Sequence, residues 1–153
     1  MPIFQFKREQ VFTASAQVIW DFISSPANLK HITPPYMGFD ITTPNLPDKM
    51  YPGMMISYRV RPILGIPLTW VTEITHVNDG VYFVDEQRMG PYKIWHHEHQ
   101  LEIINNQVKM TDMIMYAPPL GPLGAVANRL FIRRQLEEIF DYRRQVLHKL
   151  FGE

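Results

Sequence analysis

Residues 85–99 read Asp-Glu-Gln-Arg-Met-Gly-Pro-Tyr-Lys-Ile-Trp-His-His-Glu-His, and they place imidazoles where a buried strand usually carries hydrophobic side chains. Alternate residues of a strand point to the same side of a sheet, so Trp95, His97 and His99 share one face with Leu101. An otherwise apolar face that holds two imidazoles indicates either a polar network inside a core or the wall of a pocket.

The composition is that of a globular domain with a sizeable core. The chain has 153 residues, of which 46% are hydrophobic and 20% charged, so we expect one domain spanning residues 1–153. The formal net charge is zero and no basic stripe appears, which argues against nucleic acid as a partner. The absence of cysteine excludes disulfides, thiol nucleophiles and thiolate metal sites. No segment approaches the ~20 apolar residues of a membrane-spanning helix, so we expect a cytoplasmic protein without an integral membrane segment.

The order of the expected elements predicts an α+β fold. A first strand, Ile3–Phe12, precedes two short helices, one over Ala16–Ser24 and one that begins at Pro26 and ends at Pro34. Six more strands are expected at Gly38–Thr43, Met54–Arg61, Leu68–Val77, Val81–Arg88, Tyr92–Ile104 and Gln107–Ala117. A long helix from Gly121 to about Leu150 follows, and its apolar face comprises Val126, Leu130, Ile132, Leu136, Ile139, Phe140, Val146, Leu147 and Leu150. This order predicts an antiparallel sheet of about seven strands with one long helix packed on it.

Short motifs spread along nearly the whole chain carry a resemblance to a known family. They are Val18-Ile19-Trp20-Asp21-Phe22, Asn28-Leu29 with Ile32-Thr33-Pro34, Asp85-x-Gln87-x-x-Gly90-Pro91-Tyr92-x-x-Trp95-x-His97-x-His99, Met110-x-Asp112-x-Ile114-x-Tyr116 and Ile139-Phe140-x-Tyr142-Arg143. With these motifs the chain resembles the bacterial ligand-binding SRPBCC group of the START-like, Bet v 1-like superfamily. The resemblance implies a helix-grip fold, in which a curved sheet surrounds the C-terminal helix and encloses a cavity for an apolar small molecule. It implies no single reaction, because the superfamily includes carriers, lipid-transfer modules and cyclases.

The turn at residues 105–106, Asn-Asn, predicts the pairing of the last two strands. A two-residue hairpin loop places His99 opposite Asp112, and His97 opposite Ile114. The same rule applied to the Asp-Gly turn at residues 79–80 places Ile74 opposite Asp85.

The 79–80 turn also predicts that His76 lies opposite Phe83, on the same face. A two-residue loop at Gly90-Pro91 would break the face assignment, so we expect a bulge or an odd-length loop that sets Asp85 opposite His97. Cross-strand neighbours lie ~4.5–5.5 Å apart at Cβ, within reach of a hydrogen bond. The sequence therefore predicts two couples, Asp85 with His97 and His99 with Asp112.

We expect the concave face to contain the residues that contact a ligand. The candidates are Tyr58, Trp70, His76, Asp85, Trp95, His97, His99, Met110, Asp112 and Tyr116. If any residues are catalytic, they are His97, His99, Asp85 and Asp112. We expect no metal and no cofactor.

Several interpretations of the Asp and His residues remain open. The couples could satisfy each other inside the core with no further role. The His-x-His spacing with carboxylates could bind zinc or non-haem iron, although each Asp is expected to be engaged by a His. An Asp-oriented imidazole could serve a cofactor-free acid–base enzyme of the cyclase, aromatase or isomerase type. The interpretation that we favour is recognition of an apolar or amphipathic small molecule by a carrier, sensor or transfer protein.

Three connections are unusually apolar for loops: residues 32–38, 62–67 and 117–124. They are expected to close over a pocket mouth or to contact a partner or, transiently, a membrane. Five arginines of the last helix, Arg129, Arg133, Arg134, Arg143 and Arg144, alternate with acidic residues and predict a solvated face. The sequence is compatible with a monomer or a homodimer.

Overall fold

The computed structural model describes residues 2–62 and 64–152, and its strands form one antiparallel sheet. Ile63, which belongs to one of the apolar connections, lies outside the described residues. The strands are β1 (Phe4–Phe12), β2 (Asp40–Ile41), β3 (Met54–Val60), β4 (Leu68–Asn78), β5 (Tyr82–Met89), β6 (Ile94–Ile104) and β7 (Gln107–Ala117). Their order across the sheet is β1-β7-β6-β5-β4-β3-β2. A curved seven-stranded sheet with a long C-terminal helix confirms the predicted fold class.

The first crossover begins with helix α1 (Ala16–Ile23), whose start is capped by Ser15. Two 3₁₀ turns follow, Pro26–Ile32 and Pro35–Met37. The first occupies the place of the predicted second helix, and the second was not expected from the sequence. Tight 3₁₀ turns suit this segment because prolines interrupt the α-helical hydrogen-bond ladder.

Strand β2 is much shorter than the predicted Gly38–Thr43. Gly38 adopts a left-handed conformation (φ 56°) as the cap of the preceding turn, so the strand cannot begin there. Beyond Ile41 the Thr42 amide donates to the Ser57 carbonyl at 2.8 Å, and the Thr43 hydroxyl then takes over from the backbone by accepting a hydrogen bond of 2.7 Å from the Ser57 amide.

The C-terminal helix runs from Gly121 to Phe151 as α2 (Gly121–Ala127), a π-helical turn (Asn128–Ile132) and α3 (Arg133–Phe151). Its buried stripe contains Leu136, Phe140, Leu147 and Phe151. The predicted face was wrong at three positions, since Val126, Leu130 and Leu150 are exposed. The π turn inserts an extra residue and rotates the face that precedes it, and Leu150 lies one residue off the stripe.

The β6–β7 hairpin has the predicted register. Both asparagines of the 105–106 turn have positive φ angles, 50° and 63°, as a two-residue type I′ turn requires. His99 lies opposite Asp112 and His97 opposite Ile114, so these predictions are confirmed.

The β4–β5 hairpin departs from its predicted register near the turn. Ile74 does lie opposite Asp85. A bulge between Ile74 and His76 then shifts the pairing, so His76 lies opposite Val84 instead of Phe83. The extra residue turns His76 to the outside of the sheet, where it is exposed, and Val77 packs against the core in its place.

The connection between β5 and β6 allows the predicted pairing of Asp85 with His97, and the ladder ends at Glu86 and His96. Beyond that pair the Gln87 side chain binds both the amide nitrogen and the carbonyl oxygen of Tyr92, at 3.0 and 2.6 Å. A Cβ atom on Gly90 would lie 2.5 Å from Oε1 of Gln87, so only glycine fits beside the Gln87 side chain while it makes these two hydrogen bonds. The Gln-x-x-Gly-Pro-Tyr motif therefore has a structural cause.

The core consists of two apolar clusters, and residues of both line the cavity described below. The larger one joins α1, the sheet and the end of α3, with Trp20, Phe83 and Leu147 among its buried members. The smaller one packs β1 and β7 against α3 through Phe6, Ile114, Tyr116, Leu136 and Phe140.

Leu147→Ala tests the helix face that the sheet covers. Because Leu147 is fully buried, the substitution is expected to lower the free energy of unfolding by about 2–5 kcal/mol. The matched control is Leu150→Ala, three residues away and 53% exposed, for which a change of about 0.5 kcal/mol or less is expected. Urea unfolding followed by far-ultraviolet circular dichroism measures both; equal losses would contradict the assigned face.

Candidate functional site

A cavity of about 380 Å³ lies between the sheet and the C-terminal helix. Its wall is mainly apolar and rich in aromatic rings, with Tyr58, Trp70, Tyr92 and Trp95 packed against one another. The volume falls within the ~300–1,000 Å³ range of small-molecule sites, and the lining matches their usual character.

Six of the ten candidate ligand-binding residues line this cavity. They are Tyr58, Trp70, Asp85, Trp95, His97 and His99. The other four candidates, His76, Met110, Asp112 and Tyr116, do not line it.

Each of these four has another place in the structure. His76 is exposed because of the β4 bulge. Met110 is buried in the larger core cluster. Asp112 is buried behind the two imidazoles, and the Tyr116 hydroxyl donates a hydrogen bond of 2.6 Å to Oδ1 of Asn128.

The two carboxylates and two imidazoles form a closed cluster, which we call the Asp/His ring (Asp85, His97, His99 and Asp112). The predicted partners lie opposite each other, but the short hydrogen bonds run diagonally. Nε2 of His97 lies 2.8 Å from Oδ1 of Asp112, and Nε2 of His99 lies 2.6 Å from Oδ2 of Asp85. The predicted couples are longer, with 3.7 Å between His97 Nδ1 and Asp85 Oδ2 and 3.4 Å between His99 Nδ1 and Asp112 Oδ1.

The exchange of partners follows from the stacking of the imidazoles. The rings of His97 and His99 stack with centroids 3.7 Å apart, so each carboxylate contacts both rings. Diagonal neighbours across antiparallel strands are close enough for long side chains to meet. Strand register therefore predicted the members of the cluster and both couples, which are present as the longer contacts, but it did not predict the shorter diagonal bonds.

The electrostatic environment shifts the pKa values of the two imidazoles in opposite directions. Burial and the neighbouring charge of His99 lower the pKa of His97, despite its two carboxylate neighbours. Burial also opposes the charged form of His99, but hydrogen bonds to Asp112 and Asp85 outweigh it and raise its pKa. The short contact of His97 is made by Nε2, 2.8 Å from Oδ1 of Asp112, whereas Nδ1 stays 3.7 Å from Oδ2 of Asp85.

Both carboxyl groups of the ring are held in the ionised form. Burial opposes ionisation of Asp85, but the hydrogen bond from His99 and nearby positive charges outweigh it, so its pKa is lowered. For Asp112 the burial effect is again exceeded, by hydrogen bonds from His97 and His99, and its pKa is strongly lowered. The ring thus contains two carboxylates that flank both imidazoles, and their contacts favour the charged form of His99 over that of His97.

The imidazole nitrogens are turned towards carboxylates. All four lie within 3.7 Å of an oxygen of Asp85 or Asp112. Asp85 uses only Oδ2 in these contacts, and its Oδ1 makes no hydrogen bond with any residue that the structure describes. At the cavity wall, Oδ1 of Asp85 therefore has hydrogen-bonding capacity left, and Nδ1 of His97 comes no closer than 3.7 Å to a carboxylate oxygen.

Arg143 is a cavity residue that the sequence interpretation assigned to solvent. Its side chain is only 12% exposed, with Nη1 3.8 Å from Oδ1 of Asp112 and Cζ 4.5 Å from the centre of the Phe140 ring. The sequence contained a signal for this burial, because Arg143 lies three residues after Phe140 and four before Leu147, on the buried stripe of the helix. Gln135 also lines the cavity, and its amide donates to the carbonyl of Pro62 at 2.6 Å.

Asp85, His97 and His99 are the residues best suited to hold a metal ion. Their candidate ligand atoms all lie within 4.8 Å of one another, and two imidazoles with one carboxylate suit zinc or non-haem iron. In the present arrangement Asp85 binds His99 and the two imidazoles stack. An ion would have to replace these contacts, so the donor set fits a metal only after rearrangement.

The apolar connections border the cavity, as expected from their composition. Met37, Pro62, Pro118, Leu120 and Leu123 all line it. Leu120 is nevertheless 72% exposed and Leu123 69%, so the cavity reaches the surface beside them. We call these connections the mouth (residues 32–38, 62–67 and 117–124, except Ile63).

Asp112→Asn tests the electrostatics of the ring. Ionised Asp112 stabilises the fold above its unfolded pKa, about 4, and this contribution is lost as pH falls towards its lower folded pKa. We expect the variant to lose about 3 kcal/mol or more at neutral pH, because a buried ion pair is broken, and to show a shallower loss of stability below pH ~4.

Urea unfolding at a series of pH values measures this difference. The control is Asp141→Asn, which removes a carboxylate that pairs with Arg8 on the surface. This variant should lose stability with falling pH as the wild type does. If Asp112→Asn lost stability below pH ~4 as steeply as the wild type, the assignment of Asp112 as an ionised carboxylate would be contradicted.

Comparisons with known proteins support the architecture. No family model matches the chain, and no curated protein sequence matches it significantly. Among solved structures, protein CV1439 from Chromobacterium violaceum is similar with a TM-score of 0.72 and 9% identity, covering 98% of this chain and 99% of that one. TTHA0849 from Thermus thermophilus has a TM-score of 0.71 and 11% identity over 95% of each chain.

A plant protein shows the same architecture. Ginseng major latex-like protein 151 from Panax ginseng has a TM-score of 0.55 and 12% identity, covering 89% of this chain and 96% of that one. Within the described residues, no helix has the length and apolar character needed to cross a membrane. The protein has the helix-grip fold of START-like and Bet v 1-like proteins, as its sequence motifs predict.

Proposed function

We propose that the protein binds an apolar or amphipathic small molecule in the cavity between sheet and helix, as a carrier, sensor or transfer protein. The observation that carries this proposal is the cavity itself, about 380 Å³ with a wall of packed aromatic and aliphatic side chains. Well-packed interiors contain few voids larger than a water molecule, so a space of this size suits an organic ligand.

The arrangement of the Asp/His ring favours binding over acid–base catalysis. A catalytic imidazole needs a ring nitrogen within hydrogen-bond reach of a substrate atom. The nitrogens of His97 and His99 are instead directed at Asp85 and Asp112. The geometry gives the ring a role in fixing the cavity wall, and this supports a binding protein more than the enzyme alternative.

Ala127→Trp tests whether the cavity binds ligands. Ala127 lines the cavity, so an indole ring at this position is expected to fill part of it and weaken binding of the neutral dye aminoanthracene at least tenfold. The matched control is Val126→Trp, because Val126 precedes it in the same helix, is 54% exposed and does not line the cavity. Val126→Trp should bind as wild type does.

Dye fluorescence gives the affinities, and thermal unfolding confirms that each variant is folded. Native mass spectrometry of wild-type protein from its own host should additionally show a co-purifying organic molecule. Absence of dye binding by the wild type, or equal binding by the two tryptophan variants, would overturn the proposed function.

The mouth supports loading of the ligand from a membrane surface. Leu64 is 92% exposed in a connection whose Pro62 lines the cavity, and Leu120 and Leu123 add exposed apolar surface at the same opening. Contiguous exposed apolar side chains are typical of surfaces that contact a partner or a bilayer. Transient contact would let a ligand pass between bilayer and cavity without crossing bulk water.

Leu64→Glu is expected to reduce co-sedimentation of the protein with phosphatidylcholine vesicles at least threefold, because a buried charge opposes contact with hydrocarbon. Ile103→Glu provides the control, since Ile103 is 70% exposed in the β6–β7 hairpin and does not line the cavity. Sedimentation of both variants at the wild-type level, or of none of the three proteins, would remove the membrane proposal.

A further inference from the structure

The two carboxylates of the Asp/His ring lie on different sides of the stacked imidazoles. Asp85, which lines the cavity, is 3.7 Å from Nδ1 of His97 and 2.6 Å from Nε2 of His99. Asp112, which does not line it, is 2.8 Å from Nε2 of His97 and 3.4 Å from Nδ1 of His99. Each imidazole therefore has one nitrogen on the cavity side, beside Asp85, and one on the far side, beside Asp112.

The cavity side has the donor atoms and the spacing of a metal site. The candidate ligand atoms of Asp85, His97 and His99 all lie within 4.8 Å of one another. Ligand atoms that share a tetrahedral zinc ion are about 3.3 Å apart, and the two distances from Oδ2 of Asp85, 2.6 and 3.7 Å, lie on either side of this value. Admitting an ion therefore requires one contact to lengthen, the other to shorten and the imidazoles to tilt out of their stack.

Two nitrogens on this side can exchange their present surroundings for an ion. The hydrogen bond between Nε2 of His99 and Oδ2 of Asp85 holds a proton, which a divalent cation bound to the same atoms would displace to water. Nδ1 of His97 makes no hydrogen bond within the described part of the chain, although this side chain is only 5% exposed. Buried polar atoms usually have a partner, and an ion beside Asp85 would give this nitrogen one.

Asp112 provides the support that histidine ligands of metal ions usually have. Such a histidine donates its other N–H to a carboxylate or a carbonyl, which fixes the orientation of the imidazole and leaves the ligating nitrogen unprotonated. Oδ1 of Asp112 lies beside the far nitrogen of both imidazoles. One carboxylate in front of both imidazoles and one behind both is the arrangement of a metal centre with its supporting carboxylate.

We propose that Asp85, His97 and His99 bind a divalent metal ion of the zinc or ferrous-iron type. Two imidazoles and one carboxylate are a donor set that both ions accept. All three residues line the cavity, so a remaining coordination position of the ion is available to water or to a molecule inside it. The sequence interpretation expected no metal because it assigned each Asp to a different His, whereas in the structure each carboxylate contacts both imidazoles.

Zinc titration of chelator-treated, dialysed protein tests the site. The wild type should bind one zinc ion per chain. His97→Gln should weaken zinc binding about a hundredfold or more, because it removes one of three ligands. The matched control is His96→Gln: His96 is the preceding residue of β6, points to the opposite face and has its own carboxylate neighbour, Glu86, at 2.8 Å. This variant should bind zinc as the wild type does, and thermal unfolding verifies that both variants are folded.

The wild type alone gives a second reading, which needs no variant to fold. In nitrogen NMR of the histidine side chains, zinc should shift Nδ1 of His97 and Nε2 of His99 and leave both nitrogens of His96 in place. No zinc bound by the wild type, equal affinities of the two variants, or shifts confined to His96 (a surface ion only) would overturn the inference. Each of these results leaves the proposed binding function intact, because dye binding is measured without metal.

Discussion

The Asp/His ring is the constraint on which the site depends. It joins β5, β6 and β7 through contacts that leave each of its charges facing an opposite charge or a hydrogen-bond partner. Removing one member would leave a buried charge unpaired, which costs more than an intact pair contributes. The ring therefore joins three strands at one level of the sheet and helps to fix the shape of the cavity wall there.

The consequence for the proposed binding function is that much of the polar part of the cavity is already engaged by the protein itself. Imidazoles that would otherwise meet a ligand are held by Asp85 and Asp112, and the Arg143 guanidinium approaches Asp112 from the helix side, with Nη1 3.8 Å from Oδ1. Unpaired polar atoms nevertheless remain on cavity residues, namely Oδ1 of Asp85, Nε1 of Trp70 and Nε of Arg143. The chemistry and specificity of the cavity follow from the polar atoms that remain unpaired, and burial alone does not predict which atoms these are.

The sequence predicted the parts of the structure that follow from local rules. The Asn-Asn turn at 105–106 set the β6–β7 register, and alternation placed His97 and His99 on the inner face. The bulge that turns His76 outwards has no signature in residue types, because bulges depend on how two strands fit together. The diagonal hydrogen bonds of the Asp/His ring depend on the stacking of the two imidazoles, which strand register does not predict. The burial of Arg143 was hidden by the neighbouring acidic residues of its helix.

The central claim, that a ligand occupies the space between sheet and helix, can be read from the three tryptophans by NMR. The side chains of Trp70 and Trp95 line the cavity, whereas Trp20 does not line it and its indole N–H donates to Oδ1 of Asp79. Titration with aminoanthracene should shift the indole signals of Trp70 and Trp95 and leave that of Trp20 in place. Equal shifts of all three, or none at saturating aminoanthracene, would contradict the account.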